Sequence, residues 1–431
     1  MKKGRAIALL PIGVFLAIYL GLGLLFEYGL KIPMGFYKIP IVIAFLAAIL
    51  TACLQNRSVS FDQKLEWMAQ GVGDKNIITM LLIFMTAGAF VGVVGNSSAQ
   101  SVAYFMLSVI DAKYAVAVLF VVACFVSTAM GTSVGTITLL TPIAVEVALS
   151  SELSVALCVG TIVGGAMFGD NLSFISDTTI ASTRTQGCVM RDKFRVNFMI
   201  ALPAALLVLA YYIFCGMQIE VAQEVQTVEW GKVLPYIVVL GTAISGVNVV
   251  LVLLLGILST GVIGMLYGNF DFFGWFGSMG TGIVGMGELI IITLMAGGML
   301  ELIRFNGGVD YILHSLTKRV GGKRGAELSI AALVSLANVC TANNTIAIIT
   351  VGPLAANIAE QYRVDRRKSA SILDTFSCVV QGLIPYGAQL LIASELAGLS
   401  PISIIGYLYY PMLLGGMALF AILFRYPRRF S

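Results

Sequence analysis

Apolar residues run in long blocks along nearly the whole chain, and a bilayer crossing needs about 20 residues of helix, so the pattern predicts spanning helices. Crossings are expected at Ala6–Phe26, Ile39–Leu54, Ile77–Gly95, Leu153–Ser182, Phe194–Gly216, Val233–Gly246, Val247–Tyr267, Glu288–Ile303, Ala370–Glu395 and Ile402–Phe424. Two further apolar segments, Tyr114–Leu149 and Ala326–Ala359, are interrupted mid-way by "GTSVGT" at 131–136 and "TANNT" at 341–345. Each is long enough to enter the membrane, turn and leave on the same side, so both are read as re-entrant hairpins.

Composition agrees. Of the 431 residues, 58% are hydrophobic and only 11% charged, and a mean hydropathy of +0.95 excludes an ordinary soluble domain. The first apolar run is longer than a signal-peptide core and lacks a small-residue cleavage site, so it reads as a retained helix. The seven cysteines lie in or beside apolar runs without a C-x-x-C pair and read as core residues. One histidine, His314, rules out His-cluster metal chemistry and is taken as structural. No cofactor is expected.

The net charge of +4 raises the question of a nucleic-acid partner, and its distribution answers it. With a cytoplasmic N-terminus and both hairpins re-entrant, all but Lys31, Lys38, Lys113 and Lys232 of the 26 basic residues fall inside. That asymmetry is the positive-inside signature of a bacterial cytoplasmic-membrane protein with both termini in the cytoplasm. Threading either hairpin once would throw the Arg-rich loops outside. The outer loop 217–232 adds Glu220, Glu224 and Glu229.

The chain also resembles itself. "MTAGAF" at 85–90 matches "LMAGGM" at 294–299, "GTSVGTITLLTP" at 131–142 matches "ANNTIAIITVGP" at 342–353, and "DNLSFISD" at 170–177 lines up more loosely with "DTFSCVVQ" at 374–381. Each unit, 1–216 and 217–431, then holds five crossings and a hairpin. Five is odd, so the second unit is inverted, as expected of a secondary transporter. The fold expected is an all-α polytopic membrane protein of inverted repeats with broken helices.

Within "GDNLSFISDTT" at 169–179, Asp170 and Asp177 are two helical turns apart. Gly169, Asn171, Ser173 and Ser176 surround them with residues that compete for backbone hydrogen bonds, which argues for a broken helix. A break frees carbonyl oxygens, and with carboxylates and hydroxyls these could hold Na⁺. Burying a carboxylate at membrane depth costs at least ~2.5 kcal/mol, so such residues are functional candidates. The hairpin tips add Thr132, Ser133 and Thr136 with Gly131 and Gly135, and Thr341, Asn343, Asn344 and Thr345. Helix ends at such tips expose unpaired backbone groups that can hold either sign of ion; helix–helix contact is the structural alternative. "DTFSCVVQGLIPYGAQ" at 374–389 contributes Asp374, Ser377 and Gln381, with Gly382, Pro385 and Gly387 predicting a second break.

At these residues the chain resembles the NhaC family of Na⁺/H⁺ antiporters, within a wider ion-transporter superfamily. The matching features are the "GTSVGT" turn followed by "TP", the "GD…S..SDTT" segment, and "NNT" with downstream "QGLIPYGAQ". The resemblance implies a dimer-prone fold of inverted repeats with two hairpins, moving by alternating access among membrane lipids. Val134 stands where the family form has Trp, which keeps an organic substrate open.

The reading is an antiporter exporting Na⁺ in exchange for protons. Asp170 and Asp177, with Thr132, Ser133, Ser173, Ser176 and Thr178, would bind Na⁺ or protons in competition, and Asp374, Asn343 and Asn344 would complete the cavity. Asn171, Thr136, Thr345, Ser377 and Gln381 are secondary candidates. The rival within transport is a Na⁺- or H⁺-coupled carrier of an organic acid or amino acid, its carboxylate held by Asn343 and Asn344. An intramembrane aspartyl protease is the rival from another class, and the repeat argues against it.

Overall fold

The computed structural model describes residues 5–32, 38–218, 228–268, 270–311 and 322–427; His314, Glu220 and Glu224 lie outside them. Every regular element among these residues is a helix. In chain order they are α1 (Ala6–Leu22), α2 (Ile41–Leu54), α3 (Phe61–Val72), α4 (Lys75–Val109), α5 (Ala115–Met130), α6 (Ser133–Ser150), α7 (Val155–Leu172), α8 (Asp177–Gln186) and α9 (Met190–Gly216). Then follow α10 (Trp230–Ile244), α11 (Val249–Leu266), α12 (Phe272–Gly285), α13 (Gly287–Phe305), α14 (Gly322–Thr341), α15 (Asn344–Gln361), α16 (Arg366–Leu383), α17 (Ala388–Ala397), α18 (Pro401–Ile405) and α19 (Tyr409–Leu423).

By length and composition, 7 helices or broken helices among the described residues are apolar enough to cross a membrane, including both arms of the first hairpin, 112–130 and 133–150. Several expected crossings are altered. The one ending at Gly95 continues to Val109 past a kink, because Gly95 takes φ 64, ψ 171 and turns the helix. Val233–Tyr267, by contrast, holds the two helices expected, α10 and α11, turned at Gly246 and packed on each other. Ile402–Phe424 is split into α18 and α19. Two helices were not anticipated: α12, which meets α13 at 44°, and the amphipathic α3, capped by Ser60.

One displacement, 211 residues, relates the central elements. It carries α6 onto α15 (344 − 133), α7 onto α16 (366 − 155), α8 onto α17 (388 − 177) and the start of α3 onto that of α12 (272 − 61). Packing is reciprocal under the same shift: α3 rests on α13 and α12 on α4, while α8 rests on α15 and α17 on α6. Glycine makes the first pair of crossings close enough for backbone contact. A Cβ at Gly71 would lie 2.2 Å from the Gly297 carbonyl oxygen, and one at Gly282 would lie 2.0 Å from that of Gly88. Gly71 and Gly282, and Gly88 and Gly297, are themselves counterparts to within two residues. Equivalent helices run antiparallel: Met167 of α7 packs on Gly382 of α16, whereas Asn171 bonds Asp374, further back along α16.

Candidate functional site

Both hairpin tips end in an N-cap. Gly131 closes α5 with φ 69, and extended Thr132 then caps α6 by accepting from the Gly135 amide at 3.4 Å. In the second tip Ala342 takes φ 49, and Asn343 caps α15 through its Oδ1, which accepts from the Ile346 amide at 2.9 Å. The first tip sits on the break between α7 and α8, where a Cβ on Gly131 would meet Ile175 at 2.6 Å. That break exists because Ser173, Phe174, Ile175 and Ser176 leave helical geometry, with Ser176 capping α8. The matching break, 384–387, contains Pro385, which has no amide to donate.

The tips and the helix ends beside the breaks line a cavity of about 80 Å³, room for roughly five waters. Its walls include Thr132, Ser133, Asp170, Asp177, Thr178, Asn343, Asn344, Thr345 and Gln389, with Met80 and Ile83 of α4. The first turns of α6, α8, α15 and α17 all reach it, so four positive helix ends face two carboxylates. Asp170 is buried. Its Oδ2 accepts from Ser133 Oγ at 3.0 Å and Asn344 Nδ2 at 3.4 Å, so each hairpin contributes one donor. Gln389 donates to the same Ser133 Oγ at 3.0 Å and accepts from Gln381 at 2.6 Å; Gln381 Nε2 also donates to the Ala342 carbonyl at 3.1 Å. Asp177 is exposed and lies at the cavity rim.

Behind this cavity is a second polar cluster. Asp374, fully buried on α16, pairs with Lys193 Nζ at 2.6 Å, and the lysine is 1% exposed. The same Asp374 Oδ2 accepts from Asn171 Nδ2 and Asn197 Nδ2, each at 2.8 Å. Lys193 also donates to the Asn171 carbonyl at 2.8 Å and Thr179 Oγ1 at 2.7 Å, and Asn197 donates to the Asn171 carbonyl at 3.1 Å.

These contacts revise the sequence reading. Carbonyls freed by the α7–α8 break were expected to serve as ion ligands, yet side chains take them. Ser176 Oγ donates to the Asp170 carbonyl at 2.9 Å, Lys193 and Asn197 hold that of Asn171, and Thr179 Oγ1 donates to that of Ser173 at 2.8 Å. A buried carbonyl must find a donor, and this sequence supplies them. Ser173, Ser176 and Asn171 therefore build the break rather than line the cavity. Thr136 is occupied with the Thr132 carbonyl, and Ser377 with that of Asp374. Asp374 joins the second cluster, and the 211-residue shift pairs Asp170 with Gln381, not with Asp374 as the looser match has it.

Lys193, counted among surface charges, is buried, and so are Lys64 and Lys368. All three ammoniums reach carbonyls at a helix C-terminus: Lys64 those of Cys53 and Gln55, Lys193 that of Asn171, and Lys368 that of Ala421, together with the Tyr426 carbonyl beyond the end of α19. Lys193 and Asn197 escaped the sequence reading because they open an apolar run. Their i, i+4 spacing, which puts two polar side chains on one face, was the available signal.

A family model described as the Na⁺/H⁺ antiporter family matches residues 29–217 and 224–427. The chain belongs to the Na⁺/H⁺ antiporter family. It is 26% identical over 301 residues to the Na⁺/H⁺ antiporter NhaC of Alkalihalophilus pseudofirmus, covering 62% of this chain and 63% of that one, so it spans under two thirds of that relative. Against the Na⁺/H⁺ antiporter NhaC of Bacillus subtilis it is 22% identical, covering 78% and 82%. A malate-2H⁺/Na⁺-lactate antiporter of Bacillus subtilis is 20% identical, with 97% and 95% covered. Membership in this antiporter family agrees with the multi-pass apolar helices.

Proposed function

We propose that this protein exports Na⁺ in exchange for protons by alternating access across a bacterial cytoplasmic membrane, with Asp170 as the residue that carries either ion. The units are 1–216 and an inverted 217–431, and the hairpins are re-entrant. One observation carries the reading: a buried carboxylate stands at a helix break, facing a small polar cavity, with one donor from each hairpin. Na⁺ would be met by Asp170, the Ser133 and Thr132 hydroxyls and the Asn344 amide oxygen, turned over from its donor pose. A proton on Asp170 removes the charge that holds Na⁺, so the two exclude each other and their flows are coupled. Asp177 at the rim draws cations toward the cavity.

A second reading has its own support. Four helix N-termini and the amides of Asn343, Asn344 and Gln389 would accept a small carboxylate, and the malate/lactate relative aligns along nearly its whole length. Against it, no basic side chain is among the described residues lining the cavity. Purified protein in liposomes with a lumenal proton-sensitive dye distinguishes the two. A proton flux on adding Na⁺ alone, absent in Asp170→Asn, supports exchange of Na⁺; a flux only with an organic acid present overturns it.

A further inference from the structure

The ion pair of Lys193 and Asp374 lies outside the cavity, and stability alone does not explain it. A buried pair of charges is often no better for stability than well-packed apolar residues. This protein supplies the comparison itself. Shifted by 211, Lys193, Asn197 and Asp374 correspond to Ile404, Leu408 and Val163 (404 − 193, 408 − 197, 374 − 163), all buried apolar side chains. The symmetry-related place, with Ile404 and Leu408 from the second unit and Val163 from the first, is filled without charge.

Lys193 differs from a simple counter-ion in what it joins. Its three N–H groups go to three different elements: the Asn171 carbonyl at the end of α7, the Thr179 hydroxyl in the first turn of α8, and the carboxylate on α16. Asn197, one turn on along α9, repeats two of these contacts. Asn171 directly follows Asp170, so the ammonium grips the backbone next to the candidate ion carrier and spans the break from one half-helix to the other.

We infer that Lys193 is a positioning residue that fixes the α7–α8 break, and with it the Asp170 carboxylate, by holding both half-helices and α16 at one ammonium. The inference rests on the proposed role of Asp170. A tetrahedral ammonium fits three acceptors around one point, and a planar guanidinium does not.

The test uses the whole protein, wild type beside Lys193→Arg, which keeps the charge, and the double variant Lys193→Met with Asp374→Asn, which removes both charges. Amide hydrogen exchange of residues 170–182 is measured in detergent, and Na⁺-driven proton flux in liposomes. In both variants exchange at the break should rise, and the KM for Na⁺ should rise by about tenfold, with kcat within about threefold of wild type. Wild-type exchange at the break in either folded variant overturns the inference, as does faster exchange with an unchanged KM. Should the double variant not fold, Lys193→Arg decides alone. A wild type without Na⁺-driven flux sinks the exchange function, and the hydrogen-exchange result still decides whether Lys193 holds the break.

Discussion

At the α7–α8 break the polar groups are ionic: Asp170 faces the cavity, and Lys193 with Asp374 braces the backbone behind it. At the α16–α17 break, 211 residues on, the braces are neutral. Gln381 stands where Asp170 does, Gln389 bonds it at 2.6 Å, and Tyr386 donates to the Val339 carbonyl at 2.7 Å. Beneath this contrast the backbone plan is shared. Ser127 donates to the Ala166 carbonyl at 2.6 Å, and its counterpart Asn338 donates to the Ser377 carbonyl, counterpart of Ala166, at 2.7 Å. A symmetric scaffold therefore carries an asymmetric charge. The difference teaches that the backbone plan of a helix break can be duplicated while its charged side chains are kept in one copy.

The sharpest way to break this contrast is at the paired positions. Asp170→Asn should cut Na⁺-driven proton flux on the order of 100-fold or more, whereas Gln381→Ala, losing neutral hydrogen bonds worth ~1 kcal/mol each, should cost about tenfold or less. Equal losses in the liposome assay would mean that the charge at Asp170 has no special role. Next in size, Lys193→Met leaves the Asp374 carboxylate buried without its partner, a loss of about 3–5 kcal/mol. The counterpart change Ile404→Val removes one methyl group and should cost only ~0.5–1.5 kcal/mol. Denaturation midpoints in detergent compare the two, and a tolerated Lys193→Met would show that the pair is dispensable.

Smaller effects test the scaffold and the rim. Gly88→Ala puts a Cβ 2.5 Å from the Gly282 carbonyl oxygen and should destabilise by ~1–3 kcal/mol. Gly277→Ala meets nothing within 4 Å and should stay within about 0.5 kcal/mol of wild type. Thermal unfolding that ranks them the other way would refute the backbone contact. Least of all, Asp177→Asn at the exposed rim should shift the KM for Na⁺ by a factor of about three. A loss as deep as that of Asp170→Asn would move the ion site to Asp177.

Periodicity made the helices legible, and tip composition the hairpins, because both are local: Gly131, Thr132 and Asn343 announce turns and caps wherever they stand. That Asp170, Ser133 and Asn344 belong to one polar cluster was also legible, since polar side chains in apolar surroundings demand a reason. What stayed hidden depends on contacts between distant segments. Nothing near Lys193 says that it reaches Asp374 rather than the cytoplasm, and its place at the head of an apolar run imitates a surface anchor. The true repeat register was obscured for a related reason. "DNLSFISD" and "DTFSCVVQ" share an aspartate, but the helix ends, which set the register, are fixed by Ser176 and Pro385, which share no chemistry.

The glycine crossings carry a consequence for how this chain can vary. Gly71, Gly88, Gly282 and Gly297 touch backbone across the gap, and no smaller residue exists to replace them. Every substitution there adds atoms, so drift at these four places runs in one direction only, toward prising the helices apart. A core leucine can shrink or be traded for a neighbour of similar bulk; these positions have no such currency of exchange, and a variant tolerated at one of them must have moved its facing helix.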